Sequence, residues 1–145
     1  MITYKKGDAV KAAINHEIDI LVHGCNCHHS MGAGIARQIK KEFPDAFKAD
    51  KITKKGPDKL GDISVAYQRG ATIVNAYTQN FYGRKKCHAD YQAIRSCMKK
   101  IKELANGQKI GMPKIGAGLA GGDWEIIEKI IEEELVDCDI TVYVL

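Results

Sequence analysis

The sequence predicts an α/β fold, and three observations carry that reading. Short apolar or β-branched runs recur along the chain, and segments with an apolar residue every three or four positions lie between them. Twice, an apolar run passes through a glycine-rich loop straight into an amphipathic segment. Strands that alternate with helices build layers in which helices cover a largely parallel sheet. One domain over residues 1–145 accommodates these elements, with no internal repeat, linker or low-complexity segment.

Ile18–Gly24 is a short apolar run that reads as a buried strand. After the loop Cys25–Met31 a helix is expected from about Gly32, with Ile35, Ile39 and Phe43 on one face and Pro44 marking its end. Residues 45–60 are rich in Lys and Asp and carry Gly56 and Pro57, which predicts a loop with at most a short helix. Asp62–Tyr67 and Thr72–Thr78 read as two strands joined at Gly70. A long amphipathic helix follows, from about Asp90 to Ala105, with Tyr91, Ile94, Met98, Ile101 and Leu104 on its apolar face. Lys109–Ile115 is the next predicted strand. Asp123 then caps a helix carrying Trp124, Ile127, Ile130, Ile131 and Leu135 inward, and Asp139–Leu145 is the last strand.

The passages 21–39 and 112–127 each run strand, glycine loop, helix. Glycine lets the backbone approach a ligand without a Cβ in the way, and a helix N-terminus offers free N–H groups with a partial positive charge. Together they suit a phosphate. Two such loops predict a ligand with two linked phosphates, or a phosphate and a sugar. A tight turn alone needs one glycine, whereas residues 111–122 hold five. Gly116–Gly121 also matches G-x-G-x-x-G formally. A dinucleotide fold, however, needs an acidic residue about 20 positions on, at the end of a second strand. Asp137 and Asp139 precede the remaining strand, so that alternative fails on geometry.

Gly7–Asp8, His23–Gly24–Cys25–Asn26–Cys27, Met31–Gly32–Ala33–Gly34–Ile35–Ala36, Met112–Pro113, the 116–121 loop and Thr141–Val142–Tyr143 occur in order along the chain. In this the sequence resembles the macrodomain family, and within it the branch of ADP-ribose-1''-phosphate phosphatases and terminal ADP-ribose glycohydrolases. The resemblance implies a three-layer α/β/α fold around a mixed six-stranded sheet, and a hydrolase that binds ADP-ribose and needs no cofactor or metal. The leading substrate it implies is ADP-ribose-1''-phosphate. The alternatives are removal of ADP-ribose from a modified protein or nucleic acid, and a reader that binds without turnover.

By the same resemblance Asp8 lies near the adenine and Tyr143 borders that side. Asn26 with Met31, Gly32, Ala33, Gly34 and Ile35 lines the distal ribose, and Gly116, Ala117, Gly118, Leu119 and Ala120 hold the diphosphate. His23 and Asp123, with Asn26, are the implied catalytic set, an imidazole and a carboxylate sharing proton transfer across the phosphate. The glycohydrolase branch uses a lysine and an aspartate, whose positions are Gln79 and Ala120 here. Gln79 cannot form a Schiff base, which disfavours the covalent route; water activated by Asp123 is the other route to removing ADP-ribose.

Cys25, Cys27, His28 and His29 could ligate zinc, but C-x-C without a second pair does not make a zinc site. Arg84–Lys85–Lys86 beside Phe81 and Tyr82 is where a polyanion would pass, if not a plain solvated loop. The five cysteines are odd in number and irregularly spaced, which predicts free thiols. The formal net charge of +4 favours an anionic ligand without marking a dedicated nucleic-acid binder. MITYKKGD lacks the apolar core of a signal peptide, and no apolar run reaches the roughly 18 residues of a membrane span. A cytoplasmic monomer is expected.

Overall fold

The computed structural model describes residues 2–80, 89–117 and 120–145. In chain order its elements are β1 Ile2–Lys6, α1 Ala9–Ile14, β2 Ile20–Cys25, α2 Gly34–Glu42, α3 Pro44–Lys51, a 3-10 turn Pro57–Lys59, β3 Ile63–Gln68 and β4 Ala71–Tyr77. There follow α4 Tyr91–Ala105, β5 Ile110–Met112, α5 Trp124–Glu134 and β6 Ile140–Val144. The strands form one six-stranded sheet in the order β1-β6-β5-β2-β4-β3. Neighbours are parallel except β3 and β4, which makes the sheet mixed. Gln68 pairs with Ala71, so β3 and β4 are joined by Arg69 and Gly70, both at positive φ, as a two-residue hairpin requires.

Helices cover both faces. Ile20, Val22, Val74 and Ala76 pack with Ile94, Met98 and Ile101 of α4 and with Ile127, Ile130 and Ile131 of α5. The alternate residues Leu21 and Ile73 pack on the other face with Val10 and Ala13 of α1, Ile39 of α2 and Ala46 of α3. Because β2 and β4 are buried on both faces they read as near-continuous apolar runs.

Two expectations are corrected. Residues 45–60 are not mainly loop: Pro44 occupies the first turn of α3, where its missing N–H costs nothing. Phe43, Ala46 and Asp50 are buried there. The proline that ends α2 therefore also opens α3. The strand expected over Lys109–Ile115 pairs only at Ile110–Met112, since Pro113 has no N–H to give the ladder.

The consequence for function is positional. β1, β6, β5, β2 and β4 run in the same direction, so their carboxyl ends open on one edge of the sheet. Gly7–Asp8, Tyr143, both glycine passages and Thr78–Asn80 all emerge there, the edge at which α/β sheets bind ligands. Among the described residues no helix is long and apolar enough to cross a membrane.

Ile131 is fully buried in α5, whereas Ile52 is 88% exposed at the end of α3. Urea unfolding should show Ile131→Ala losing about 2–5 kcal/mol and Ile52→Ala changing stability by less than about 0.5 kcal/mol. Equal losses at the two sites would contradict this core.

Candidate functional site: a cleft between two glycine loops

The first loop leaves β2 at Cys25. Asn26, nearly buried, staples it: its Oδ1 accepts from the His28 amide at 2.8 Å and its Nδ2 donates to the Ser30 carbonyl at 2.9 Å. Met31 then drops into the core, at 2% exposure. Gly32, Ala33 and Gly34 come out to the surface. A Cβ added at Gly32 or Gly34 would meet nothing within 4 Å, and Gly34 has φ +57. Ala33 stands in the N-cap position of α2, extended, with no side chain accepting from the first turn and no acidic residue in it. By contrast α1, α4 and α5 are capped by Asp8, Asp90 and Asp123. Among the described residues no side chain caps the leading N–H groups of α2.

The second loop follows β5. Gly116 and Gly121 have φ +73 and +72. Gly122 donates to the Gly116 carbonyl at 2.7 Å and closes the loop. A Cβ on Gly122 would sit 2.6 Å from that carbonyl oxygen, so the closure needs glycine. Ala120 is buried and its carbonyl accepts from Ala89. Gly118 and Leu119 lie outside the described residues.

The segment after β4 binds the two loops together. Thr78 donates its amide to the Cys25 carbonyl, Cys27 donates to the Asn80 carbonyl, and Asp90 donates to the Thr78 carbonyl. Gly24 is pressed between them: a Cβ there would lie 2.8 Å from Thr78 Oγ1 and 3.8 Å from the Gly116 nitrogen. The buried Thr78 hydroxyl has no hydrogen-bond partner among the described residues.

At the other end of the edge, Asp8 caps α1 through Oδ1, which accepts from Val10 at 2.8 Å and Lys11 at 3.3 Å. Its Oδ2 accepts from Gln38 Nε2 at 2.8 Å. Burial works against its charge, but the Gln38 amide and the Lys11 and Val10 N–H groups outweigh it and hold the carboxyl below the usual range. Asp8 is therefore an anionic acceptor. Tyr143 is buried, with Cδ1 3.7 Å from where a Cβ on the neighbouring Gly7 would be.

The structure does not bring His23 and Asp123 together. His23 alternates with Val22 along β2, so it faces the α1–α3 layer, whereas Asp123 opens α5 in the opposite layer. His23 has no solvent exposure, and its Nε2 lies 2.6 Å from Asn75 Oδ1. Asn75 Nδ2 donates to the Ala46 carbonyl and to Ser64 Oγ, which turns the amide oxygen to His23 and makes Nε2 the protonated nitrogen. Cys25 Sγ lies 3.6 Å from Nδ1. Burial pushes the imidazole down to about 4, against the Asn75 hydrogen bond. Asp123 is exposed and caps α5, accepting from Glu125 at 2.9 Å. Asn26 uses both its amide groups in holding the first loop. The Met31 side chain is likewise a core residue, which leaves only its backbone for the cleft.

Cys25, Cys27, His28 and His29 diverge. Cys25 and Cys27 are buried beside Tyr77, while His28 meets Asn80 Oδ1 at 3.1 Å and His29 donates to the Thr53 carbonyl at 2.8 Å. Gln79 forms an isolated antiparallel bridge with Ala89. Arg84, Lys85 and Lys86 lie outside the described residues. Sequence reasoning missed Thr78 and Gln38. Thr78 could have been flagged as the polar residue ending an apolar strand, whereas Gln38 sits mid-helix without any local signal.

A family model, the Macro domain, matches residues 22–131. The Bos taurus protein named ADP-ribose glycohydrolase OARD1 is 35% identical over 149 residues, which cover 99% of this chain and 91% of the relative. The Candida albicans protein named ADP-ribose 1''-phosphate phosphatase is 32% identical over 145 residues, covering 92% and 93%. Among solved structures, the macrodomain of Mycobacterium tuberculosis DarG superposes with a TM-score of 0.76 at 27% identity, covering 99% of this chain and 97% of the other.

The depressed His23 imidazole has a measurable sign. Below pH 6.5 the unfolded histidine binds a proton that the folded one refuses until about 4, so stability falls as pH drops through that window, by on the order of 3 kcal/mol in all. Urea unfolding of the parent and His23→Gln between pH 6.5 and 5 should show a loss in the parent that the variant lacks. Identical slopes would place His23 in a solvated setting instead.

Proposed function

The chain belongs to the macrodomain family, and on that premise we propose that it holds ADP-ribose derivatives in the cleft and hydrolyses them, with removal of phosphate from ADP-ribose-1''-phosphate as the leading reaction. The single observation that carries this reading is the N-terminus of α2, uncapped by any described side chain and delivered to the same sheet edge as the second glycine loop. Backbone N–H groups there meet an anion with a fixed dipole and no side chain between. Relatives bearing both hydrolase names, at 32% and 35% identity, support turnover as well as binding.

In this reading Asp8 accepts from the exocyclic amine of the adenine, beside Tyr143. The segment Met31–Ile35 and Asn26 border the distal ribose, and Gly116–Ala120, with Gly118 and Leu119 among them, take the diphosphate. Water attacks the terminal phosphorus, the bond from phosphorus to the ribose oxygen breaks, and that oxygen takes a proton. The N–H cradle stabilises the charge on the phosphoryl oxygens throughout. With His23 withdrawn under α3 and Asp123 committed to capping α5, the proton falls to an imidazole on the cleft. His28, half-buried on the first loop and oriented by Asn80, is that group.

A second reading, an ADP-ribosylated macromolecule as substrate, is favoured by the charge distribution. Residues 37–59 hold eight Lys and Arg against four Asp and Glu, which equals the net +4 of the whole chain. Exposed Lys40 and Lys51 are held over the Phe47 ring at 4.2 and 5.2 Å, and exposed Lys54 and Lys55 flank the first loop beside Thr53 and Gly56. This surface would attract a polyanionic carrier.

Turnover of ADP-ribose-1''-phosphate and of an ADP-ribosylated oligonucleotide, followed by product analysis, separates the readings. For the first, His28→Gln should lower kcat about 10²–10⁴-fold and leave ADP-ribose affinity within a few-fold, while folded His23→Gln keeps its kcat. Loss of kcat in His23→Gln alone would overturn the assignment of the proton to His28. For the second, Lys54→Glu/Lys55→Glu should slow only the oligonucleotide reaction.

A further inference from the structure

The most unusual chemistry outside the cleft is a buried ion pair. Asp50 in α3 is 1% exposed and Lys59, ending the 3-10 turn, is 6% exposed. Lys59 Nζ lies 3.5 Å from Asp50 Oδ1, donates to Thr53 Oγ1 at 2.6 Å, and stands 4.2 Å from the centre of the Tyr77 ring. Tyr77 donates from Oη to the same Asp50 oxygen at 2.7 Å. Burying two charges is costly compared with apolar packing, so the pair has to be explained by something other than stability alone.

Its surroundings supply the explanation. The chain from the end of α3 into the 3-10 turn has almost no apolar anchorage: Ile52 is 88% exposed, and Lys54, Lys55, Pro57 and Asp58 are exposed as well. Yet this poorly anchored stretch supports the first glycine loop from beneath. His29 donates from Nε2 to the Thr53 carbonyl at 2.8 Å, and Gly56 donates its amide to the Cys27 carbonyl at 2.7 Å. His29 itself has φ +57, a left-handed conformation uncommon for a non-glycine residue.

We propose that Lys59, locked to Asp50 and Thr53, is a positioning residue for the ligand cradle: through Thr53 and Gly56 it fixes the conformation of the loop 26–31 that leads into the N-terminus of α2. The cradle's N–H groups are then preorganised by a charge pair on the far side of the loop, and the cost of ordering the loop is met on folding rather than on binding. The link to affinity rests on the proposal that ADP-ribose occupies this cleft. The link to loop order does not.

The test is amide hydrogen exchange, with calorimetric titration of ADP-ribose, on the full chain and two variants. Lys59→Met removes the charge; Thr53→Val keeps the Lys59–Asp50 pair and removes only the hydroxyl, in case Lys59→Met fails to fold. In each folded variant Gly56 and His28, whose amides staple the loop, should exchange about tenfold faster, the equivalent of one net hydrogen bond, with Val22 and Val74 in the core unchanged. The Kd for ADP-ribose should rise about tenfold, and Lys59→Arg should recover part of both effects. Unchanged exchange at Gly56 and His28, or acceleration there only in step with Val22, would overturn the proposal. A parent that does not bind ADP-ribose would overturn the proposed function and with it the affinity effect, while the exchange result still decides the positioning role.

Discussion

A helix begins with N–H groups that its own turns cannot satisfy. In this protein Asp8, Asp90 and Asp123 satisfy them at α1, α4 and α5. At α2 the cap position is Ala33, the preceding residue is Gly32 and the helix opens on Gly34, so no side chain is available and none obstructs. That unmet demand for an acceptor organises the rest of the cleft. It is placed at the carboxyl edge of the sheet because β2 delivers the loop there. The second loop, whose closure requires glycine at position 122, emerges at the same edge. An anionic Asp8 stands apart at the β1 end, where it can accept a hydrogen bond without competing for the phosphate site.

Binding and chemistry are built from different materials here. The cradle is backbone, and it is held by Asn26 within the loop, by the close packing of Thr78 against Gly24, and by the Asp50–Lys59–Tyr77 group. His23 belongs to this supporting set. Its ring is enclosed by Asn75 and Cys25, and burial holds it neutral and without access to solvent.

Much of this was legible in the sequence because it depends on local chemistry. Asp123 reads as a cap from its place before an apolar periodic stretch, and both glycine passages read as strand, loop and helix. The orientation of His23 was not legible. A strand buried on both faces is apolar at every position, so period-two alternation carries no signal about which layer a given residue meets. Pro44 misled for a related reason: a proline reads equally as the end of one helix and the start of the next, and only the burial of Phe43, Ala46 and Asp50 decides. The pairing of Lys59 was not legible either, since its partner Asp50 lies in the preceding helix and no local pattern pairs them.

In the proposed complex the start of α2 meets the distal ribose end of the ligand and the second glycine loop takes its diphosphate. Titrating ADP-ribose into the ¹⁵N-labelled protein and following amide resonances tests it most directly. The account predicts saturable shifts centred on residues 33–36 and on Gly116 and Ala117, with smaller ones beside Asp8. Shifts confined to the groove between α4 and α5, lined by Gln92, Arg95, Lys129 and Glu133, or a titration that leaves residues 33–36 unmoved, would contradict it.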